Sequence, residues 1–211
     1  MSEQLQSDFD KIVKNSKFSN REIQLKKNFL NKFIESGFPN RKQEDWKFLD
    51  ISQIIKKNIS DLSYFIDYSQ SNKIDPSTFV GGLEHNKIIF LNGRIEKIDF
   101  NHEDKSKIEI SDETKKDISF NYENSLIDLN SAFTDKVFKI LVKKDYSLKK
   151  PLIIYHSTND SIKSTNINLR LDFELGENSC LKLIDYFANN TTKNFINILI
   201  IIFLKNFMID E

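Results

Sequence analysis

The sequence predicts an α+β protein, with a helical N-terminal part and a β-rich remainder. Three features carry this. Ser19-Asn20-Arg21-Glu22 forms a capping-box pattern ahead of a helical repeat. Asn92-Gly93 sits between two apolar-alternating runs. From residue 136 onward, short alternating segments follow one another with only turn residues between them.

The first helix follows from the capping box. Beyond it Ile23, Leu30, Phe33 and Ile34 recur at helical spacing, with Lys26, Lys27 and Lys32 between them. Gly37 suits the position just past a helix and Pro39 forbids continuation. In the stretch GFPNRKQEDWKF (37–48) the lone tryptophan, Trp46, is expected to pack against the helices. A second helix is expected from about Asp50, because Ile51, Ile54 and Ile55 share a face. Residues 56–80 carry polar clusters and Pro76, and read as a connection.

The β region opens with KIIFLNGRIEKIDF, whose Asn-Gly pair tolerates the positive φ angles of a type I′ hairpin turn. VFKILV (137–142), PLIIYH (151–156), TNINLRLDFEL (165–175) and CLKLIDYF (180–187) then read as strands with one buried and one wetted face. No helices separate these strands, which excludes a doubly wound sheet. A sandwich, a barrel or a β-solenoid remain open, and no fixed-period repeat selects the solenoid.

Composition narrows the function classes. Lys+Arg and Asp+Glu balance at 31 each, so no basic surplus points to nucleic acid. Arginine, the better fork for phosphate, occurs only at Arg21, Arg41, Arg94 and Arg170. Cys180 is the single cysteine, which excludes an intrachain disulfide and any Cys-Cys metal site. The polar, acidic start lacks a signal-peptide core, so the cytoplasm is the expected location. The apolar run FINILIIIFL (195–204) is too short for a membrane span, which needs about 20 residues.

No catalytic constellation emerges. His85, His102 and His156 lack partners at metal-ligand spacing, and His156 reads as a strand-end polar residue. Cys180 reads as a packing residue: Lys182 could lower its pKa, but no base or oxyanion hole accompanies it. Gly81-Gly82 lacks the lysine-serine ending of a phosphate loop. Glu44 and Asp45 diverge by about 100° on a helix and cannot act as an acid–base pair. The sequons at Asn58, Asn159 and Asn190 carry little meaning without secretion.

Four stretches, taken together, resemble the SufD family, a scaffold subunit of the SUF iron–sulfur cluster assembly system. The first supplies Gly37, Phe38, Pro39, Arg41, Lys42, Glu44, Trp46, Lys47 and Phe48, which match that family's Gly-Leu/Phe-Pro stop, basic pair, glutamate and Trp-Lys-Tyr/Phe. FLNGRIEKI resembles its Asn-Gly hairpin. SLIDLNSAFTDKVFKILVKKDYSLKKPLIIYH is similar to its entry into the β-domain, and LRLDFELGENSCLKLIDYF to its first solenoid rungs. The likeness runs from about residue 20 to about residue 187.

The resemblance implies a helical domain with its linker over 1–80. A right-handed parallel β-helix follows, whose hairpin and first rungs occupy 81–211, with the C-terminal portion missing. It implies a non-catalytic scaffold subunit, or a fragment of one, that works with SufB and the ATPase SufC. An iron–sulfur cluster would reside transiently on the full complex. No catalytic, cofactor-binding or metal residue carries over, and no cofactor is expected on this chain itself. The departures are Leu49, where the family often has threonine, and the family's greater length. Its later rungs form the SufB interface and its C-terminal helices dock SufC, so this chain is expected to lack both helices and most of that interface. The tail NFINILIIIFLKNFMIDE abandons alternation, which fits a truncated or frameshifted frame or a strand buried on both faces. Poor solubility, or dimerisation through the open end, is the expectation that follows. The alternative reading is a β-solenoid carbohydrate-active or glycan-binding protein, for which Arg170 and Asp172 share a strand face.

Overall fold

Local chemistry sets the helices. In the computed structural model, which describes residues 2–59, 61–68, 79–113, 124–188 and 193–205, helix α2 spans Asn20–Ser36. Its capping box is complete: Ser19 Oγ accepts the Glu22 N–H, and Glu22 Oε2 accepts the Ser19 N–H at 2.7 Å. Gly37 ends it at φ 67°, donating its N–H to Phe33 O at 2.7 Å. Helix α3 (Ile51–Asn58) starts where Asp50 accepts the Gln53 N–H. Two further helices were not among the sequence expectations. Helix α1 (Ser2–Asn15) buries Leu5, Phe9 and Ile12, with Val13 packed beside them, at helical spacing in an otherwise polar sequence. Helix α4 (Ser125–Phe133) mixes apolar residues with Ser125, Asp128, Asn130 and Ser131, is capped by Asn124, and interrupts the β region. Trp46 was expected to pack against the helices, yet it is half-buried and belongs to none of the apolar cores. Pro76, Ser60, the Asn190 sequon and the tail from 206 lie outside the described residues.

The strands are β1 (Asn86–Leu91), β2 (Arg94–Asp99), β3 (Ile108–Glu113), β4 (Val137–Val142), β5 (Leu152–Ser157), β6 (Asn166–Leu175), β7 (Leu183–Phe187) and β8 (Phe195–Leu204). Asn92 and Gly93 take φ 52° and 81°, the pair of positive angles a type I′ turn requires, and β1 pairs antiparallel with β2 across them.

The right-handed parallel β-helix is not what the chain shows. Its strands form two separate four-stranded sheets, ordered β2-β1-β5-β7 and β3-β4-β6-β8, and no closed solenoid. Both sheets are mixed. Each opens on an antiparallel pair, β1–β2 or β3–β4, and continues with parallel pairs. The physical reason lies partly in the hairpin, since a two-residue turn forces its strands to run antiparallel. The α+β class itself is observed, and a two-sheet packing was among the readings that alternation left open.

The inner faces of the sheets share one core. Ile88 and Phe90 of β1 and Leu152 and Ile154 of β5 meet Phe138 and Ile140 of β4 and Leu169, Leu171 and Phe173 of β6. A second core joins the helices: Leu5 and Phe9 from α1, Leu30 and Phe33 from α2, and Leu129 and Phe133 from α4. Helix α4 packs on α2 and on the outer face of β6 and β8, and so fastens the helical layer to one sheet.

That docking corrects the expectation of a wetted face. The alternating polar residues of β6 are buried: Asn166, Arg170 and Asp172 lie beneath the helical layer. Their polarity is satisfied internally. Arg170 donates from Nε and Nη2 to the two Asp172 carboxylate oxygens, both at 2.8 Å. Strand β8 explains the run that abandons alternation. Ile198 and Ile200 pack on the core between the sheets, while Phe195 reaches the helical core and meets the Phe38 ring edge-on at 5.6 Å. Burial on two faces removes the need for alternation. The run is therefore a parallel strand of ten residues, partly buried.

Glu174 ties three strands together. It accepts Lys139 of β4 at 2.5 Å and Lys205 just past β8, and these two lysines hold its carboxyl at about 2, against an ordinary 4.5. A carboxylate whose folded pKa is depressed contributes stability above its unfolded value and loses it as pH falls through the folded one. Glu174→Gln should therefore cost about 1–2 kcal/mol at neutral pH, a figure reduced because Lys205 is half exposed. The difference from the parent should shrink between pH 4.5 and about 2, as urea unfolding across that window would report. A second substitution checks the hairpin. A Cβ on Gly93 would sit 2.7 Å from Ile167 Cγ2, at a positive φ, so Gly93→Ala should destabilise the fold by about 1–3 kcal/mol in the same assay.

Candidate functional site

The three histidines fall in three different settings. His156 is buried in the core rather than closing a strand at the surface. Its Nε2 lies 2.5 Å from Asp185 Oδ1 on the neighbouring strand β7, and its ring stacks between Phe90 and Phe187. Parallel register places Phe90, His156 and Phe187 side by side across β1, β5 and β7. His85 Nδ1 lies 2.7 Å from Leu83 O, which fixes the proton there. Its Nε2 therefore accepts the Tyr155 hydroxyl at 2.8 Å. His102 is exposed, on the turn after β2. Two of the three thus have dedicated partners far away in sequence, and no local spacing signals them.

Cys180 is exposed, held by an isolated parallel bridge to Ser147. Leu181 and Leu183 pack towards the core between the sheets, as the sequence reading required for its opposite orientation. Gly82 takes φ 74° in the approach to β1. Glu44 and Asp45 lie on a short 3-10 helix, Glu44–Trp46, where Glu44 pairs with Lys47 at 3.0 Å. Among the described residues, no group of three His, Cys, Asp or Glu side chains converges as a metal ion would require. Nor is any described helix long and apolar enough to cross a membrane.

One polar cavity of about 280 Å³ opens where the helical layer meets β2 and β6. Arg94 lines it. Both terminal nitrogens of Arg94 donate to the Asp135 carboxylate, one at 2.8 Å, and its guanidinium stacks 4.1 Å from the Tyr68 ring centroid. Burial pushes the Tyr68 hydroxyl up to about 12, so it stays protonated at neutral pH. The charges of Arg94 and Asp135 cancel, and neighbouring Asn168 donates to Asn166. The arrangement ties β2 to the segment just past α4 and to Tyr68.

Strands β7 and β8 lie at the same end of the two sheets, and each pairs on one side only among the described residues. Hydrogen-bond phase identifies the free groups. Phe195 and Lys205 donate to Thr165 O and Leu175 O, so odd-numbered residues of β8 face β6 and the even-numbered N–H groups point outward. In β7, Ala188 donates to His156 O, so there the odd-numbered N–H groups point outward. Ile184, Phe187, Ile202, Phe203 and Leu204 are exposed along these edges. No proline interrupts either strand, and only Asp185 places a charge on them, so the edges are a template for further strands. Sequence reasoning located this end from the apolar run but could not show that both sheets are open there.

No protein-family model matches the chain, and no curated protein is similar to it.

Proposed function

We propose that the chain is a non-catalytic scaffold subunit of an iron–sulfur cluster assembly complex, of SufD type, working in the cytoplasm with SufB- and SufC-type partners. The two open parallel edges, β7 and β8, carry this reading, because strand addition is the chemistry they offer. The resembling motifs support it from their places in the fold. GFP closes α2 and sends Phe38 into the helical core, Asn-Gly forms the β1–β2 turn, and SLIDLNSAF is the helix that fastens the layers. The reading does not use the solenoid, which the strand order overturned.

In this role the chain presents fixed backbone donors and acceptors at one end of both sheets, and a partner's strands complete them. The cluster is cargo of the assembled complex. The glycan-binding alternative loses its residues here, because Arg170 and Asp172 bond to each other beneath the helical layer.

Co-expression with SufB- and SufC-type proteins tests the proposal. The SufB-type subunit should co-purify with the full chain. Phe187→Pro combined with Ile202→Pro should release it, since each removes an outward N–H while leaving the ladders to β5 and β6 intact. Unfolding of the variant should show a loss of no more than about 2 kcal/mol, most of it the Phe187 stacking on His156, with the fold retained. Failure of the parent to retain the SufB-type subunit, or full retention by the double variant, would sink the reading.

A further inference from the structure

Asn92-Gly93 is the one Asn-Gly pair in the chain, and such a pair is chemically labile. Glycine has no Cβ to shield its nitrogen, so the Gly93 backbone nitrogen can attack the Asn92 side-chain amide at Cγ. In that step the Gly93 nitrogen gives up its proton and a Cγ–N bond forms. The Cγ–Nδ2 bond breaks and ammonia leaves. Water then opens the five-membered imide at either carbonyl, giving aspartate or isoaspartate. The hairpin turn suits one product and not the other. Asp-Gly fits a type I′ turn, whereas isoaspartate adds a methylene to the main chain of a two-residue turn.

Contacts from the β5–β6 connection hold this amide shut. Asn92 is only 7% exposed, although it sits in a turn. Its Nδ2 donates to Asn159 Oδ1 at 3.1 Å and to Ser161 Oγ at 3.2 Å, and its Oδ1 accepts the Asn159 N–H at 3.2 Å. Ser161 closes the clasp by donating its N–H and its hydroxyl to the same Asn159 oxygen, the latter at 2.5 Å. Ring closure requires the Asn92 amide to swing off this loop and lie against its own following nitrogen, which breaks all three of its bonds together. The clasp also positions the loop that enters β6. That loop buries Ile162 and Thr165, and its Ser164 O accepts the Ser63 N–H at 2.8 Å from the segment after α3. A carboxylate at position 92 could still accept the Asn159 N–H, but its second oxygen would face Asn159 Oδ1, acceptor against acceptor.

We propose that Asn92 is a gated deamidation site, protected while its clasp with Asn159 and Ser161 is closed, and that its conversion releases the loop over 158–165. The gate is local. Opening needs only the β1–β2 turn and the β5–β6 connection to part, which costs less than unfolding either sheet. The proposal stands apart from strand addition at β7 and β8 and does not rest on it.

The test incubates the purified full chain in mildly alkaline buffer and follows the Asn92 peptide by mass spectrometry, with the aspartate and isoaspartate forms separated by chromatography. The folded parent should deamidate at Asn92 more slowly than the same chain in urea, by about tenfold or more. Ser161→Ala removes two bonds of the clasp from a half-buried position and should raise the folded rate about tenfold. Glu174→Gln weakens the fold at the far end of β6 and should leave the rate within about twofold of the parent, which separates local opening from global unfolding. In Asn92→Asp the amides of 158–165 should exchange hydrogen faster than in the parent, while β1 and β2 keep their protection because Asp-Gly keeps the turn. Equal rates for the folded parent and the chain in urea would overturn the proposal. So would a Ser161→Ala rate matching the parent, an acceleration as large in Glu174→Gln, or unchanged exchange of the loop in Asn92→Asp.

Discussion

The buried amide network between helix α4 and strands β6 and β8 is the constraint on which the rest of the architecture depends. Asn130 Nδ2 donates to Leu169 O at 3.0 Å and to Asn197 O at 2.8 Å, and its Oδ1 accepts the Thr134 hydroxyl. Asn197 answers by donating to Leu126 O and Asn168 Oδ1, Asn168 donates to Asn166, and Asn166 reaches Phe195 O. Each link carries a polar group out of water, and an unpaired one would cost about 1–3 kcal/mol. Packing alone would let α4 slide along the sheet. The amides fix one register, because only one alignment satisfies all of them.

Lys26 completes the fastening from the other side. Its ammonium donates to Ser131 O and Thr134 O, carbonyls at the C-terminal end of α4, and lies 4.8 Å from the Phe18 ring. Burial lowers it to about 8, yet at neutral pH it remains largely a cation at the end of a helix that favours one. One lysine of α2 thus holds the helix whose asparagine holds the sheet. Cavity and core follow from this stack. The Arg94–Asp135 pair lines the seam where the helical layer meets β2, and Asp135 lies just past the end of α4.

How far the sequence was legible depended on whether a signal was local. The capping box at Ser19, the stop at Gly37, the cap at Asp50 and the Asn92-Gly93 turn are each decided within about four residues, and each is present. Strands β4 and β6 alternate in sequence because one face meets the shared core, whereas β5 is buried on both faces, with Ile153 and Tyr155 in a core of their own. Legibility failed where the deciding contact is remote. The polar face of β6 reads as wetted until α4 covers it. Helix α4 itself escaped because it is short and buries a polar residue, Asn130, among its apolar ones, which blurs the period. His156 escaped because Asp185 and Phe187 arrive 29 and 31 residues later through parallel register. The solenoid failed differently, since it came from resemblance and not from any period in the residues.

The same stack bears on the open edge at β8. Helix α4 reaches as far as Asn197, so β8 is the last strand whose outer face the helical layer covers. Beyond it, Leu199, Ile201 and Phe203 present apolar side chains on that outer face, and the first two are only partly sheltered. A strand added at β8 therefore meets two demands at once: backbone donors at the even-numbered residues, and apolar cover for the outer face. A lone peptide strand satisfies the first. Only a strand carried by a folded partner, with its own layer above it, satisfies both. The edge, unpaired among the described residues, thereby favours a structured protein over an extended peptide.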